Sequence, residues 1–179
     1  SQSALDMASH RLKSDGVRAI RTYHAAYLEG LTQAVAERPA AGSLLVLFLG
    51  SNLGNFDPPV AHDLLVGIRR LLRAGDALLL GADLVKPERE LLLAYDDPLQ
   101  VTAAFNRNLL RRINDELGGT FDLAGFSHRA VWQPVEKRVE MHLVSTGRQL
   151  VRIGATGLEV SFEPGETIWT ESSHKYEAG

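Results

Sequence analysis

An uninterrupted apolar run, Leu44-Leu45-Val46-Leu47-Phe48-Leu49, leads directly into the loop Gly50-Ser51-Asn52-Leu53-Gly54-Asn55 and then into Asp57-Pro58-Pro59. No position in the run is polar, so neither face suits water. That pattern fits a strand of a parallel sheet covered on both sides better than a strand with a wet face. Asp57 ahead of two prolines is a helix start: a carboxylate to accept early N–H groups, then residues whose missing N–H would have been orphaned anyway. The predicted helix carries Val60, Leu64, Leu65, Ile68, Leu71 and Leu72 on one stripe and stops near Gly75. A second apolar strand follows at 77–81. Strand, loop, helix and strand over this length make a βαβ unit, and the first half of the chain is therefore expected to be a doubly wound α/β sheet.

The flanking segments extend this pattern. Leu5, Ala8 and Leu12 recur at helical spacing, with Ser3 as the expected cap and Gly16 as the stop. Residues 17–23 read as a short strand and 28–37 as a helix stopped by Pro39 and Gly42. The character changes after Lys86. Pro87 opens a short helix ending around Tyr95, and Asp97-Pro98 opens a longer one running to Leu117 ahead of Gly118-Gly119. From His128 the apolar period becomes two: Ala130 and Trp132; Val139, Met141 and Leu143; Val151 and Ile153; Leu158, Val160 and Phe162. Turn residues separate these runs, which predicts an antiparallel meander and an α+β plan for the second half.

Composition narrows the function classes. The 179 residues are 45% hydrophobic and carry a net charge of -3, enough apolar material for a core and no long-range pull toward phosphate backbones or anionic lipid. Nucleic-acid and membrane partners are not expected. Cysteine is absent, which removes thiolate nucleophiles, disulfides and cysteine-based metal sites. The longest apolar run is too short to span a bilayer and no signal region opens the chain, so a cytoplasmic location is expected.

The loop at 50–55 stands at the carboxyl end of a buried strand, where α/β proteins bind ligands. Its glycines serve either close approach of a ligand or a tight strand-to-helix turn, and Asn55 offers both donor and acceptor. No Gly-Lys-Ser/Thr follows, Asn52 stands where a nucleophile elbow needs Ser, and no dinucleotide fingerprint occurs. The six histidines lack metal-ligand spacing, and no metal is assigned. Asp83 and Lys86 read as a solvated pair. Asp97 is explained as a cap and Tyr95 and Asp96 are not; the run Glu171-Ser172-Ser173 after Trp169, taken alone, reads as a polar strand end.

The strings LFLGSNLGNFDP, LLLGADLVKP, AYDDPLQVTAAFNRNLL, INDELGGTFDL, RVEMHLVS and FEPGETIWTESSHKY, taken in order, resemble the S-adenosylmethionine-dependent histidine-specific N-alpha-methyltransferases of the ergothioneine route. The resemblance implies a class I methyltransferase (Rossmann-like) sheet at 1–86, incomplete in this chain, an α+β substrate-binding domain at 87–175, and a return toward the first domain at 176–179. It implies that Asn55 holds the amino and carboxylate end of an amino-acid substrate and that Tyr95 partners the carboxylate. Glu171 and Ser173 would grip the imidazole, with Met141 on the pocket wall. No residue is implied as an acid–base catalyst, since methyl transfer to a neutral amine rests on alignment and exclusion of water.

The resemblance also sets expectations about what this chain lacks. The acidic–aromatic pair beside the cofactor's adenine falls on Ala26-Tyr27, so the acidic contact is absent. The glycine motif for the methionine end would precede Ser1, and the last helix and strands would follow Tyr176, making this a central segment with an exposed apolar sheet edge. The implied function is transfer of methyl groups from S-adenosylmethionine to the alpha-amino group of histidine, toward hercynine. Alternatives are a tryptophan-type relative and a non-catalytic amino-acid-binding module. A homo-oligomer is left open.

Overall fold

A computed structural model describes residues 1–178. The chain forms a mixed α/β structure with several sheets and divides into two compact units, one made of Ser1–Leu47 and Pro58–Leu79, the other of Phe48–Asp57 and the chain from Leu80 onward.

In the first unit, α1 (Gln2–Ser14) is capped by Ser1, whose hydroxyl accepts from Ala4 N–H. The cap is therefore Ser1, two residues before the predicted Ser3. The strand expected at 17–23 does not form: none of these residues pairs with a strand, and extended chain without a ladder is loop. Helix α2 (Tyr27–Ala36) lies against α3 (Pro58–Leu71), and Gly67 permits the approach. A Cβ at Gly67 would stand 2.6 Å from a methyl of Leu28. Helix α3 buries Leu64 and Ile68 of the predicted stripe together with Ala61, which was not in it, but leaves Val60 exposed and ends at Leu71, short of Gly75. Asp76 ties the surrounding loops together. Its carboxylate accepts from Arg73 N–H, Leu44 N–H and the Arg38 guanidinium, which together hold its pKa well below the usual carboxylate range.

Strand β1 (Leu45–Phe48) pairs with β2 (Ala77–Leu80). Ala77 donates to Leu44 C=O and Gly81 to Phe48 C=O, so residue numbers rise together and the strands run parallel, as the βαβ reading requires. Burial on both faces is not observed. Leu45, Leu47 and Leu79 each leave more than half their surface exposed, because among the described residues no layer covers that side.

The second unit contains α4 (Glu88–Tyr95), α5 (Val101–Leu117) and five strands: β3 (Phe126–Gln133), β4 (Arg138–Ser145), β5 (Gln149–Ile153), β6 (Leu158–Phe162) and β7 (Thr167–His174). The strands alternate as predicted but do not form one continuous meander. Their order is β3-β4-β7, all antiparallel, with β5-β6 a separate hairpin. The chain leaves β4, makes that hairpin, and returns so that β7 takes the free edge of β4. The hairpin instead packs into a core of Leu110, Phe126, Leu143, Val151 and Phe162, where the Phe126 and Phe162 rings meet edge to face at 5.3 Å. Helix α5 begins at Val101, three residues after Pro98. Asp97 still caps it, accepting from Val101 and Thr102 N–H, while Gln100 turns the chain at φ 58°. Among the described residues no helix is long and apolar enough to cross a membrane.

Candidate functional site

Strand β7 organises the candidate site, through a break in its alternation. Met141 stands opposite Glu171 and Val139 opposite Ser173, but His142 stands opposite Trp169. Thr170 is thus an extra residue, a bulge, and its hydroxyl donates to Met141 C=O at 2.9 Å. Because of it, Trp169 and Glu171 face opposite sides of the sheet although they are two residues apart. Trp169 stacks on His142 and lies under the Arg138 guanidinium, 4.7 Å from the ring centre. Glu171, Ser173 and, just past the strand, Lys175 share the side occupied by Met141.

On that side α4 and α5 supply the rest. The Tyr95 hydroxyl donates to Ser173 Oγ at 2.7 Å. Its backbone C=O accepts from His128 Nε2 at 2.8 Å, which puts the ring proton on Nε2 and leaves Nδ1 to accept from the Asn106 amide at 3.0 Å. Tyr95 is therefore anchored at both its main chain and its hydroxyl. Glu171 opens into a hollow of about 220 Å³ lined by Phe105, Asn106, Asn108, Leu109, Arg112 and Thr170, room for a five-membered ring. Burial raises its carboxyl pKa, opposed by the nearby Lys175 charge, and no hydrogen bond to its carboxylate is present among the described residues. An unpartnered, half-buried carboxylate is set to accept an N–H from a ligand.

Asn55 ends a short 3-10 turn, Asn52–Asn55, that packs against β7. The loop glycines have separate reasons to be there. Gly50 has φ 76°, and a Cβ on Gly54 would fall 2.6 Å from His174 C=O. Gly54 thus serves packing of the turn on β7, which carries exposed Asn55 to the His174 end of that strand. The five residues expected to bind substrate, Asn55, Tyr95, Met141, Glu171 and Ser173, all belong to the second unit. Met141 is buried, Tyr95 and Ser173 are bonded, and Met141 and Glu171 are register partners.

Ala26 and Tyr27 belong to the first unit, at the cap and first residue of α2. They line a hollow of about 450 Å³ with Leu5, Leu12, Ile20 and Tyr23. The lining is mixed, with Ser9, Arg21 and Thr22 among the apolar and aromatic side chains.

Lys175 was missed by the sequence reading. Its side chain is fully buried, and its ammonium stands 2.6 Å from Tyr95 Oη, 2.8 Å from Ser173 Oγ and 3.3 Å from Asp83 Oδ2. Asp83 consequently belongs to more than a solvated pair with Lys86. Burial raises its pKa, but Lys86 and Lys175 outweigh that and lower it overall. Glu140 was also missed. It is a buried carboxylate held by Arg138, His142 and Gln133, whose hydrogen bonds overcome the cost of burial and lower its pKa. The only available signal was the i, i+2, i+4 alternation of Arg138, Glu140 and His142 along one strand face.

A family model described as histidine-specific methyltransferase, SAM-dependent, matches residues 1–179. Histidine N-alpha-methyltransferase of Mycobacterium tuberculosis (strain CDC 1551 / Oshkosh) is 48% identical over 142 residues, 79% of this chain and 44% of the relative. The protein of the same name from Mycolicibacterium smegmatis is 48% identical over 138 residues, 77% and 43% of the two chains. Ergothioneine biosynthesis protein 1 of Neurospora crassa is 27% identical over 139 residues, 70% of this chain and 16% of that one. The chain thus spans less than half the length of these relatives. With a match along its whole length, it belongs to the SAM-dependent histidine-specific methyltransferase family.

Proposed function

We propose that this chain carries the substrate-reading part of an enzyme that methylates the alpha-amino group of histidine, toward hercynine and ergothioneine. The observation that carries the reading is the unpartnered carboxylate of Glu171, open to a ring-sized hollow and aligned on one strand face with Ser173. Glu171 would accept the ring N–H, and Ser173 would meet the other ring nitrogen. Asn55 would hold the amino-acid end, with Met141 closing the wall; Tyr95, whose single O–H is donated to Ser173, would offer that end only an acceptor position, suited to its amine. The domain division at 86/87 is part of this reading, with the first part a class I sheet.

S-adenosylmethionine supplies an electrophilic methyl group. Ala26 and Tyr27 would hold its adenine in the hollow of the first unit. The chain's own residues bind and orient the amine and exclude water from it. None of them needs to move a proton in the transfer step once the amine is neutral, so alignment is their main contribution. The homologue names support histidine rather than tryptophan as the substrate.

Calorimetric titration with histidine, tryptophan and S-adenosylmethionine tests the proposal. Saturable histidine binding that exceeds tryptophan binding at least tenfold is the expected result. Equal binding of the two would refute the assignment. Histidine binding without any cofactor binding would identify an amino-acid-binding module instead.

A further inference from the structure

We infer that buried Lys175 is a positioning residue that determines specificity, by fixing Ser173 as a hydrogen-bond donor toward the ligand ring. The inference rests on the reading of Glu171 and Ser173 as the ring-binding pair and deepens it.

An ammonium group has three donors and no acceptor. Those of Lys175 are committed to Tyr95 Oη, Ser173 Oγ and Asp83 Oδ2. The lysine is held there by its own backbone N–H, which donates to Lys137 C=O at 2.7 Å. Ser173 Oγ therefore accepts from Lys175 and also from the Tyr95 hydroxyl. A serine oxygen has two acceptor positions, and both are filled. What Ser173 retains is its own O–H, for which no acceptor is present among the described residues.

Two residues earlier on the same face, Glu171 offers the opposite polarity, since an ionised carboxylate only accepts. The pair thus presents one donor and one acceptor. Neutral imidazole carries the complement: one N–H and one bare nitrogen. Indole and pyrrole have an N–H and nothing for Ser173 to donate to, while imidazolium has two N–H groups and again no acceptor. Leaving a buried polar group of the site unmatched is the most effective way a site rejects a near-isostere. Lys175 imposes that mismatch without touching the ligand. In its absence Ser173 has a vacant acceptor position, can turn, and loses its preference for a bare nitrogen.

The test compares affinities for histidine and for the two pyrrolylalanines, each of which has CH in place of one ring nitrogen. Calorimetry is run on the unmodified chain, on Lys175→Met and on Lys175→Arg. The unmodified chain should prefer histidine at least tenfold over both analogues. Lys175→Met should narrow that ratio to below about threefold, and Lys175→Arg, a bulkier planar cation with a different donor geometry, should restore it only in part. A Lys175→Met protein that keeps the full ratio overturns the inference, even if its affinity for all ligands falls, because a purely structural lysine would act on all ligands alike. If Lys175→Met does not fold, nitrogen NMR of labelled histidine bound to the unmodified chain decides. A neutral ring with one protonated nitrogen supports the inference, and a doubly protonated ring overturns it. Absence of histidine binding in the unmodified chain overturns the proposed function together with this inference, whereas binding with an unchanged ratio overturns the inference alone.

Discussion

The hydroxyls of Tyr95 and Ser173, 78 positions apart in the chain, meet at 2.7 Å and share one fully buried lysine ammonium. Removing one hydroxyl therefore strands a donor of Lys175. Tyr95→Phe is expected to lower stability by about 1–3 kcal/mol, the usual cost of leaving a buried polar group unpaired. Because both hydroxyls serve the same ammonium, the double variant Tyr95→Phe/Ser173→Ala should cost measurably less or more than the sum of the single ones. Urea denaturation of the four proteins measures this. Strict additivity would mean that the three groups do not act as a network.

On the proposed reading, Glu171 places binding and stability in opposition. Burial raises its carboxyl pKa, so the folded state favours the protonated form and the charged form weakens the fold above the ordinary value of 4.5. Glu171→Gln should raise the unfolding free energy at neutral pH by less than about 1 kcal/mol, since solvent screens a half-exposed charge. That gain should disappear as pH falls below 4.5. Histidine affinity should meanwhile drop about 10- to 100-fold, the usual range for a hydrogen bond to a charged group. Parallel denaturation and calorimetry measure the two arms, and a variant that lost stability at pH 7 would contradict the first.

These side chains differ in how far the sequence exposed them. Local signals were legible: the stripe of α3, the glycine loop after β1, and Asp97 as a cap were all readable because each depends on neighbours in the chain. The bulge at Thr170 was not, since counting by twos assumes unbroken alternation and one inserted residue reverses every later face. Nor was the pairing of β7 with β4, because strand order is decided by packing of the β5-β6 hairpin in the core rather than by turns. Lys175 was hidden for another reason. A lysine after a strand reads as solvated, and only its partners from position 83, position 95 and position 173 make burial tolerable.

The Asp97 cap gives a pH prediction. Hydrogen bonds from Thr102 and Val101 N–H lower its pKa from an ordinary 3.8 to about 2. A folded pKa below the unfolded one contributes stability that is complete above 3.8 and lost as pH falls toward 2. Asp97→Ala should therefore unfold at lower denaturant than the unmodified chain at pH 7. The two curves should converge between pH 4 and about 2. A constant gap across that range would show that the carboxylate charge is not what caps α5.

Gly54 connects the fold to the proposed substrate end. Its φ is not in the left-handed region, so backbone strain does not require glycine there. Space does: an added Cβ would sit 2.6 Å from His174 C=O and 3.2 Å from His174 N, both main-chain atoms that cannot rotate away. Gly54→Ala must push the 52–55 turn off β7 or bend the strand beside Ser173. Overpacking of this kind costs about 1–3 kcal/mol. It should also carry Asn55 away from β7 and reduce histidine affinity more than the stability loss alone explains. The matched control is Gly147→Ala, where a Cβ meets nothing within 4 Å. Comparing both variants by urea denaturation and histidine calorimetry separates a general loss of glycine from loss of this contact, and equal effects at the two positions would remove Gly54 from the site.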